Sequence, residues 1–302
     1  MKRNSGYTLV EVMVAMVISL IVLGGVYKAV TDETVMLERD EAVLDMQNNA
    51  RVAMERLVRD IRRTGFFGCG GVLSFPASYT MPAPIADFVN DDSATDNNID
   101  DGTDSITFNF LDGDVPLLPG HTLTSSTDED KDFKLARSAF IAGDELLITD
   151  CEEYAVFNKV NGPAQLIDHG NTNLNRAYGA PLPARVYSFA AATYRVEGSK
   201  LRLNGNVIAT NIEDLQFEFL EDIVTSDGDL SDENWGQTFT AAEEVRAIRV
   251  WVLAMSDTAY THTDTDTYDY PNSKYPAGSP PNDHRYRYLS SSIVYLRNAG
   301  II

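Results

Sequence analysis

The sequence predicts an α+β protein in which one long N-terminal helix packs on an antiparallel β-sheet head. An apolar run near the start of the chain gives way to a one-faced helical pattern, and no proline precedes Pro76. Beyond Gly71 the pattern changes to short strand-like runs separated by polar loops, without further helical patterns between them. The 302 residues suffice for one large domain or two modest domains with a core.

The N-terminal segment has the composition of a membrane-spanning helix. Residues 12–27 carry no charge, and Glu11 alone interrupts the apolar run that begins at Tyr7. This is roughly the length needed to cross a bilayer as a helix. Lys2 and Arg3 precede the run, so the positive-inside rule keeps the extreme N-terminus in the cytoplasm and sends the rest outward. No convincing small-residue cleavage site follows the apolar core, as an ordinary secretory signal would require.

A helical pattern continues beyond the apolar run, with apolar residues confined to one face. Their spacings of three and four residues are those of an amphipathic helix. A helix is therefore expected from about Tyr7 to about Thr64, on the order of 85 Å long, with Gly65 placed to end it. Charged residues recur every four positions on the opposite face and form a ladder. This ladder either stabilises the helix through side-chain pairs, or its arginines contact acidic residues of neighbouring subunits in an assembly. The apolar residues are Val43, Met46, Ala50, Ala53, Leu57 and Ile61, and the ladder is Arg51, Glu55, Arg59 and Arg63.

The head is expected to consist mainly of strands, because its apolar runs alternate with a period of two or are rich in β-branched residues. The Asn204-Gly205 pair lies between two such runs and is compatible with a hairpin, although a loose turn is an alternative. The predicted strands are residues 105–110, 145–149, 155–160, 192–196, 200–203, 215–220, 246–255 and 291–296.

The first residues resemble the type III signal of type IV pilins and pseudopilins. A short basic leader ends at Gly6, and an aromatic residue, Thr, Leu, Val and Glu11 follow. The resemblance implies that a prepilin peptidase cuts between Gly6 and Tyr7 and methylates the new amine of Tyr7. It also implies a role for Glu11. Placing a carboxylate in hydrocarbon costs about 2.5 to 3.5 kcal/mol, so such a residue is retained only with a partner or a function. In the family this glutamate pairs with the N-terminal amine of a neighbouring subunit.

The head carries a second, independent resemblance, to the PilW family of minor pilins. The resemblance implies a non-catalytic subunit that primes type IV pilus assembly and lies at or near the pilus tip. The implied partners are other minor pilins, the major pilin, a tip adhesin, the prepilin peptidase and the inner-membrane assembly platform. The implied location is the inner membrane with a periplasmic head, then the pilus tip. The stretches that carry it are "NNARVAMERLVRDIRRTGFFGC", "GTDSITF", "GDELLITDC", "NIEDLQFEF" and "SSSIVYLRNAG".

These readings divide the chain into a leader (residues 1–6), a helix (residues 7–64, with about 7–27 in the membrane) and a head (residues 65–302). Two alternatives remain. A J-type pseudopilin of a type II secretion system shares the signal and the helix. An anchored extracellular binding module would not need cleavage after Gly6. Sequence alone does not separate motility, adhesion and DNA uptake as the task of the pilus.

Two cysteines, Cys69 and Cys151, are compatible either with idle thiols or with one disulfide. A head outside the inner membrane lies where disulfides form, so a Cys69–Cys151 disulfide is expected. In the chain-entropy model, closing a loop of about 80 residues stabilises the fold by roughly 4 to 5 kcal/mol.

The net charge of −21 argues against general nucleic-acid affinity and suits a solvated, exterior surface. Tyr286 and Tyr288 alternate with Arg285 and Arg287, an arrangement able to stack on bases; in so acidic a chain it is more often a strand-edge pattern, so nucleic-acid binding is not expected. No histidine has metal-ligand spacing, and no catalytic motif occurs, so no enzyme activity is expected. No cofactor is expected, although two acidic loops offer hard oxygen ligands for calcium. The weak calcium candidates are Asp96, Asp100, Asp101, Asp227, Asp229 and Asp232.

Overall fold

The protein is described by a computed structural model. It covers residues 8–68, 82–90, 99–100, 102–117, 133–134, 140–159, 166–167, 174, 177–179, 182–222, 234–260, 266–276 and 278–296. In these ranges the chain forms one long helix, a short 3-10 helix η1 (Ala242–Glu244) and thirteen strands. The helix is α1 (Leu9–Arg63). The strands are β1 (Ile85–Val89), β2 (Ser105–Pro116), β3 (Phe133–Lys134), β4 (Glu145–Thr149), β5 (Tyr154–Asn158), β6 (Leu166–Ile167), β7 (Arg185–Val196), β8 (Lys200–Leu203), β9 (Asn206–Thr210), β10 (Ile212–Glu221), β11 (Trp235–Gly236), β12 (Val245–Met255) and β13 (Arg287–Tyr295).

Helix α1 is continuous for 55 residues and has a defined cap at each end. Thr8 is its N-cap and Thr64 its C-cap, and the Thr64 amide donates to the carbonyls of Asp60 and Ile61. Gly65 follows with φ of 69°, a left-handed conformation that glycine adopts without a steric penalty. The predicted helix end at Gly65 is thereby confirmed.

The two halves of α1 lie in different environments. The side chains of its first half are exposed in the isolated chain, from Leu9 at 77% to Leu37 at 64%. This half is long and apolar enough to cross a membrane. The second half buries the predicted apolar face against the head, except that Val43 is only half-buried. The buried apolar residues are Ala42, Met46, Ala50, Ala53, Leu57 and Ile61.

The head contains two antiparallel sheets, with α1 packed on them. The larger sheet has the order β1-β2-β7-β4-β5, and β8 and β9 extend it from β7. The smaller sheet has the order β11-β10-β12-β13, and β3 pairs with β6 separately. Helix α1 contacts β2 and β9 of the larger sheet and β12 and β13 of the smaller sheet. One apolar core joins the helix to both sheets, and the predicted α+β class is confirmed.

The turn after β8 is tight, and it leads into a strand that the sequence analysis missed. Leu203 pairs with Asn206, so only Asn204 and Gly205 lie between β8 and β9. Both have positive φ, 49° and 81°, as a two-residue hairpin turn requires. The Asn204 side chain also accepts from the Thr193 amide and donates to the Ala191 carbonyl, which fixes the hairpin to β7. The loose-turn alternative is therefore wrong.

A buried carboxyl group ties the segment after β12 to the smaller sheet. Asp214 on β10 is 1% exposed, and its carboxylate accepts hydrogen bonds from Tyr270 Oη at 2.6 Å and Gln216 Nε2 at 3.1 Å. Burial raises the pKa of Asp214 from its ordinary 3.8 to about 6, although these hydrogen bonds act in the opposite direction. The folded state therefore holds this proton more tightly than the unfolded state does.

This shift predicts a pH dependence of stability with a defined sign. The contribution of Asp214 is largest below pH 3.8 and is lost as pH rises through about 6, because the folded state must then bury a charge. The loss amounts to up to about 3 kcal/mol. We expect the unfolding free energy of the wild type, relative to Asp214→Asn, to fall between pH 4 and pH 8. The measurement is urea unfolding of the full chain in detergent, followed by tryptophan fluorescence.

Asp283 supplies a matched control for this measurement. A hydrogen bond with Arg287 lowers the pKa of the Asp283 carboxyl, so its contribution is present at neutral pH and lost as pH falls through the lowered value. The difference between wild type and Asp283→Asn should therefore change with pH in the opposite direction. A pH-independent difference for Asp214→Asn would contradict the raised pKa of Asp214.

Candidate assembly site

Glu11 forms a reciprocal cap with Thr8 at the start of α1. The Glu11 amide donates to Thr8 Oγ1 at 3.3 Å, and the Thr8 amide donates to Glu11 Oε2 at 3.2 Å. Thr8 Oγ1 also lies 3.3 Å from the same carboxylate oxygen. This capping box satisfies two amides that no helical carbonyl can reach, and the carboxylate lies favourably at the positive end of the helix dipole.

The same carboxylate is exposed in a strongly apolar environment. Its neighbours on α1 include Val12 at 44% exposed and Met16 at 63% exposed. Among the described residues, the capping bonds engage Oε2 and none engages Oε1. The carboxylate is therefore held in place by its own helix while one oxygen remains for a donor from outside. Gly6 and Tyr7 lie outside the described residues, so the predicted cleavage and methylation stay predictions, as does the pairing of Glu11.

A buried hydrogen bond joins the helix to the larger sheet near the end of α1. Asp60 is 2% exposed and accepts from the Tyr194 hydroxyl on β7 at 2.6 Å. Burial, and then this bond, raise the pKa of Tyr194, so the phenol remains the donor. Arg56 and Arg59 each place Nε 3.6 Å from the Asp60 carboxylate. Sequence reasoning noticed Asp60 only within a family motif, because Tyr194 is 134 residues away along the chain.

The end of the helix is fixed to β2 by a second set of contacts. The Arg63 guanidinium lies 4.2 Å from the centre of the Phe110 ring and pairs with Asp112 at 2.9 Å. The amide of Gly65 donates to the Asn109 carbonyl at 3.0 Å. Of the predicted ladder, Arg63 thus serves the head of its own chain. Arg51 and Glu55 form an exposed ion pair at 2.8 Å, which solvent screens, so it contributes little to stability.

Within the arginine–tyrosine alternation at residues 285–288, Arg287 is not available for stacking on bases. The Arg287 side chain is 0% exposed and pairs with Glu213 and Asp283, each at 2.6 Å. Its guanidinium also lies 4.5 Å from the centre of the Tyr275 ring. Although burial lowers the pKa of Arg287, hydrogen bonds with Asp283 and Glu213 outweigh it, and the net pKa is raised. This arginine holds the head together, so the base-stacking interpretation is not supported.

Of the calcium candidates, the structure describes only Asp100. Its two carboxylate oxygens accept from the amides of Gly198 and Ser199, each at 2.8 Å, so Asp100 caps the turn before β8. Asp96, Asp101, Asp227, Asp229 and Asp232 lie outside the described residues. Within the part of the chain that the structure describes, no group of three acidic, histidine or cysteine side chains is placed to hold a metal ion.

The predicted disulfide is described at one end only. Cys151 follows β4 with φ of 71°, and no described cysteine is a free thiol. Cys69 lies outside the described residues, so the Cys69–Cys151 pairing stays a prediction. We expect neither cysteine of the natively purified chain to react with iodoacetamide before reduction, and both to react after it. Alkylation of two thiols without reductant, read by intact mass, would contradict the pairing.

The comparisons with known proteins agree with this architecture. Residues 1–27 match the family model of the prokaryotic N-terminal methylation motif, in agreement with the type IV pilin-like signal predicted for this segment. Residues 175–298 match the model of type IV pilus-assembly protein W. The two matches cover the N-terminal segment and the second half of the head, and they confirm the resemblance to the PilW family of minor pilins that the sequence predicts.

Two further comparisons give no additional assignment. No curated protein matches the chain significantly. Among solved structures, a type IV-like pilin from Thermus thermophilus is similar with a TM-score of 0.39 and 14% identity, over 84% of this chain and 96% of that chain. At this TM-score no conclusion about this chain follows from the likeness.

Proposed function

We propose that this protein is a structural subunit that primes type IV pilus assembly and is incorporated at or near the pilus tip. The observation that carries the proposal is the exposed Glu11 carboxylate on a bare apolar helix, joined to a head with a PilW match. A carboxylate at such a position is expensive to keep in hydrocarbon unless it has a partner. The PilW match also favours this role over that of a J-type pseudopilin.

The proposed mechanism is association rather than catalysis. The leader is removed after Gly6, and the new amine of Tyr7 is methylated. Glu11 Oε2 stays with the helix cap, and Oε1 accepts from the positively charged amine of a neighbouring subunit. In a water-poor environment this attraction is much stronger than in bulk water, so it selects an axial register between neighbouring helices.

The head supplies the specificity of the subunit. It is fixed to α1 by the Asp60–Tyr194 bond and by the buried apolar face, so its position follows that of the helix. Before assembly we place the subunit in the inner membrane with the head in the periplasm, and afterwards at the pilus tip. The proposed partners are other minor pilins, the major pilin, a tip adhesin, the prepilin peptidase and the assembly platform. Twitching motility and cell adhesion are the activities such a pilus would serve.

A clean deletion tests the proposal when two phenotypes are scored in parallel. We expect sheared surface pili to be lost and type II exoprotein secretion to remain intact, with complementation by the wild-type gene. Intact pili with exoproteins trapped in the periplasm would instead assign the protein to the pseudopilins. Intact-mass analysis that shows an uncut leader on the assembled protein would favour an anchored module outside any filament.

A further inference from the structure

We propose that the free edge of β13 pairs with a β-strand from the head of a different pilin subunit. This inference rests on the proposed function and names one surface through which the assembly would form. Strand β13 lies at the end of the smaller sheet, and β12 is its one partner among the described strands. Its nine residues pair with β12 without a register shift, so the edge is long and regular.

The direction of the backbone groups follows from the bonds at the two ends of the strand. The Leu296 amide donates to the Arg246 carbonyl at 2.8 Å, and the Ser256 amide donates to the Tyr286 carbonyl at 2.8 Å. In an antiparallel ladder the residues that exchange such bonds alternate with residues whose groups point away. The backbone amides and carbonyls of the even-numbered residues of β13 therefore point toward β12. Those of Leu289, Ser291 and Ile293 point away from β12, toward the free edge.

These outward groups are not used elsewhere in the described part of the chain. The structure gives no hydrogen bond from the outward amides of Ser291, Ile293 or Tyr295 to any described residue. Their side chains lie on the sheet face opposite α1, where Ile293 is 47% exposed and Tyr295 is 62% exposed. An exposed edge with apolar side chains is the surface to which an additional strand binds.

The edge also lacks the features that normally prevent such pairing. Residues 288–295 contain no charged residue and no proline, and they form no bulge with β12. The other edges of these two sheets are shorter in the described part of the chain: β1, β5 and β9 have five residues each, β1 and β9 also have a register shift, and β11 has two residues. Natural sheets block long edges with charges, prolines or bulges. The uncharged run of residues 288–295 in β13 therefore favours a partner strand at this position.

Charge and location indicate which partner the edge accepts. A second copy of this chain is disfavoured, because each copy carries a net charge of −21 and two heads would repel each other. Helix α1 packs on β13, so a strand added to this edge would lie beside the stem. In the proposed filament the stems of neighbouring subunits pack there too. The occupant is accordingly an uncharged or basic strand from the head of another pilin. The stem of that pilin would pack beside α1 and bring its head next to β13.

Photo-crosslinking in living cells tests the occupant directly. The full chain carries p-benzoylphenylalanine at Ser291, or at Ile141 as a matched control that is 72% exposed but lies outside β13. We expect an ultraviolet-dependent adduct from position 291 and none of the same mass from position 141. Mass spectrometry should place the adduct on a strand of another pilin. An adduct with a second copy of this chain, or no adduct from position 291 in piliated cells, would overturn the proposal.

Two substitutions test the edge itself. Ser291→Pro removes an outward amide, which an edge strand tolerates, while Ser291→Ala keeps the amide and serves as the control. Ile293→Lys places a charge on the edge and tests the same surface if the proline variant fails to fold. We expect Ser291→Pro and Ile293→Lys each to lower recovery in sheared pili, relative to the amount in membranes, by at least about tenfold.

The outcomes separate this inference from the proposed function. If deletion abolishes pili but both edge variants restore them fully, the β13 inference is wrong and the proposed function stands. If deletion leaves pili intact, the proposed function is wrong. In that case an adduct between position 291 and another pilin head would still support the edge, and its absence would overturn it.

Discussion

Replacing Glu11 with valine is expected to lower the recovery of this protein in sheared pili by at least about tenfold, while its head stays folded. The change removes the carboxylate that is proposed to pair with a neighbour's amine, an attraction that is much stronger in a water-poor environment than in bulk water. Glu11 lies far from the head, where both tryptophans of the chain are located. Tryptophan fluorescence should therefore be unchanged. The measurement is the ratio of protein in the pilus fraction to protein in the membrane.

Glu11→Gln distinguishes the charge from the cap. Glutamine also serves at the third position of a capping box, so the start of α1 is preserved while the negative charge is lost. We expect Glu11→Gln to be as defective as Glu11→Val. Ser19→Ala is the control, since Ser19 is also exposed on this half of α1 and only donates to the Ala15 carbonyl. Normal incorporation of the glutamine variant would refute the ionic role of Glu11.

Truncating Leu57 to alanine is expected to lower the free energy of unfolding of the head by about 2 to 5 kcal/mol. Leu57 is 0% exposed and lies in the core shared by α1 and both sheets, so its removal leaves a cavity between helix and head. Val52→Ala is the matched control, because Val52 is 42% exposed on the same helix and its loss should matter by no more than about 0.5 kcal/mol.

Urea unfolding of the full chain in detergent measures both variants. Trp235 and Trp251 belong to the smaller sheet, so their fluorescence reports on the head rather than on the membrane half. Equal midpoints for Leu57→Ala and wild type would show that the head does not depend on its contact with the helix. An equal loss in both variants would mean that the exposed face of α1 contributes as much as the buried face.

Local sequence patterns predict the helix, its buried face and several of the strands. The spacing of Met46, Ala50 and Leu57 defines the buried face, because a helix repeats every 3.6 residues whatever it packs against. The strands at residues 145–149 and 200–203 are confirmed with the same bounds. Predicted strands such as 291–296 are displaced or shorter than observed, since strand ends depend on the partner strand rather than on local sequence.

These local patterns do not predict contacts between residues that are distant along the chain. The bond between Asp60 and Tyr194 joins residues 134 positions apart, and nothing local to either residue indicates the other. The Arg287 side chain is buried and paired with Glu213, 74 positions away, and the local arginine–tyrosine pattern does not indicate this partner. Predicting the position of β13 at a sheet edge requires the order of strands, which periodicity does not give.

The exposed first half of α1 also determines how far the head lies from the membrane. Residues 9–41 precede the first buried side chain, Ala42, and a helix of this length extends about 50 Å. The hydrocarbon layer accounts for about 30 Å of it. In a membrane-inserted subunit the head is therefore held about 20 Å above the hydrocarbon, on a rod that bears Lys28, Asp32 and Glu33. That space allows another protein to bind α1 between the membrane and the head, and to extract the subunit from the bilayer without contacting the head.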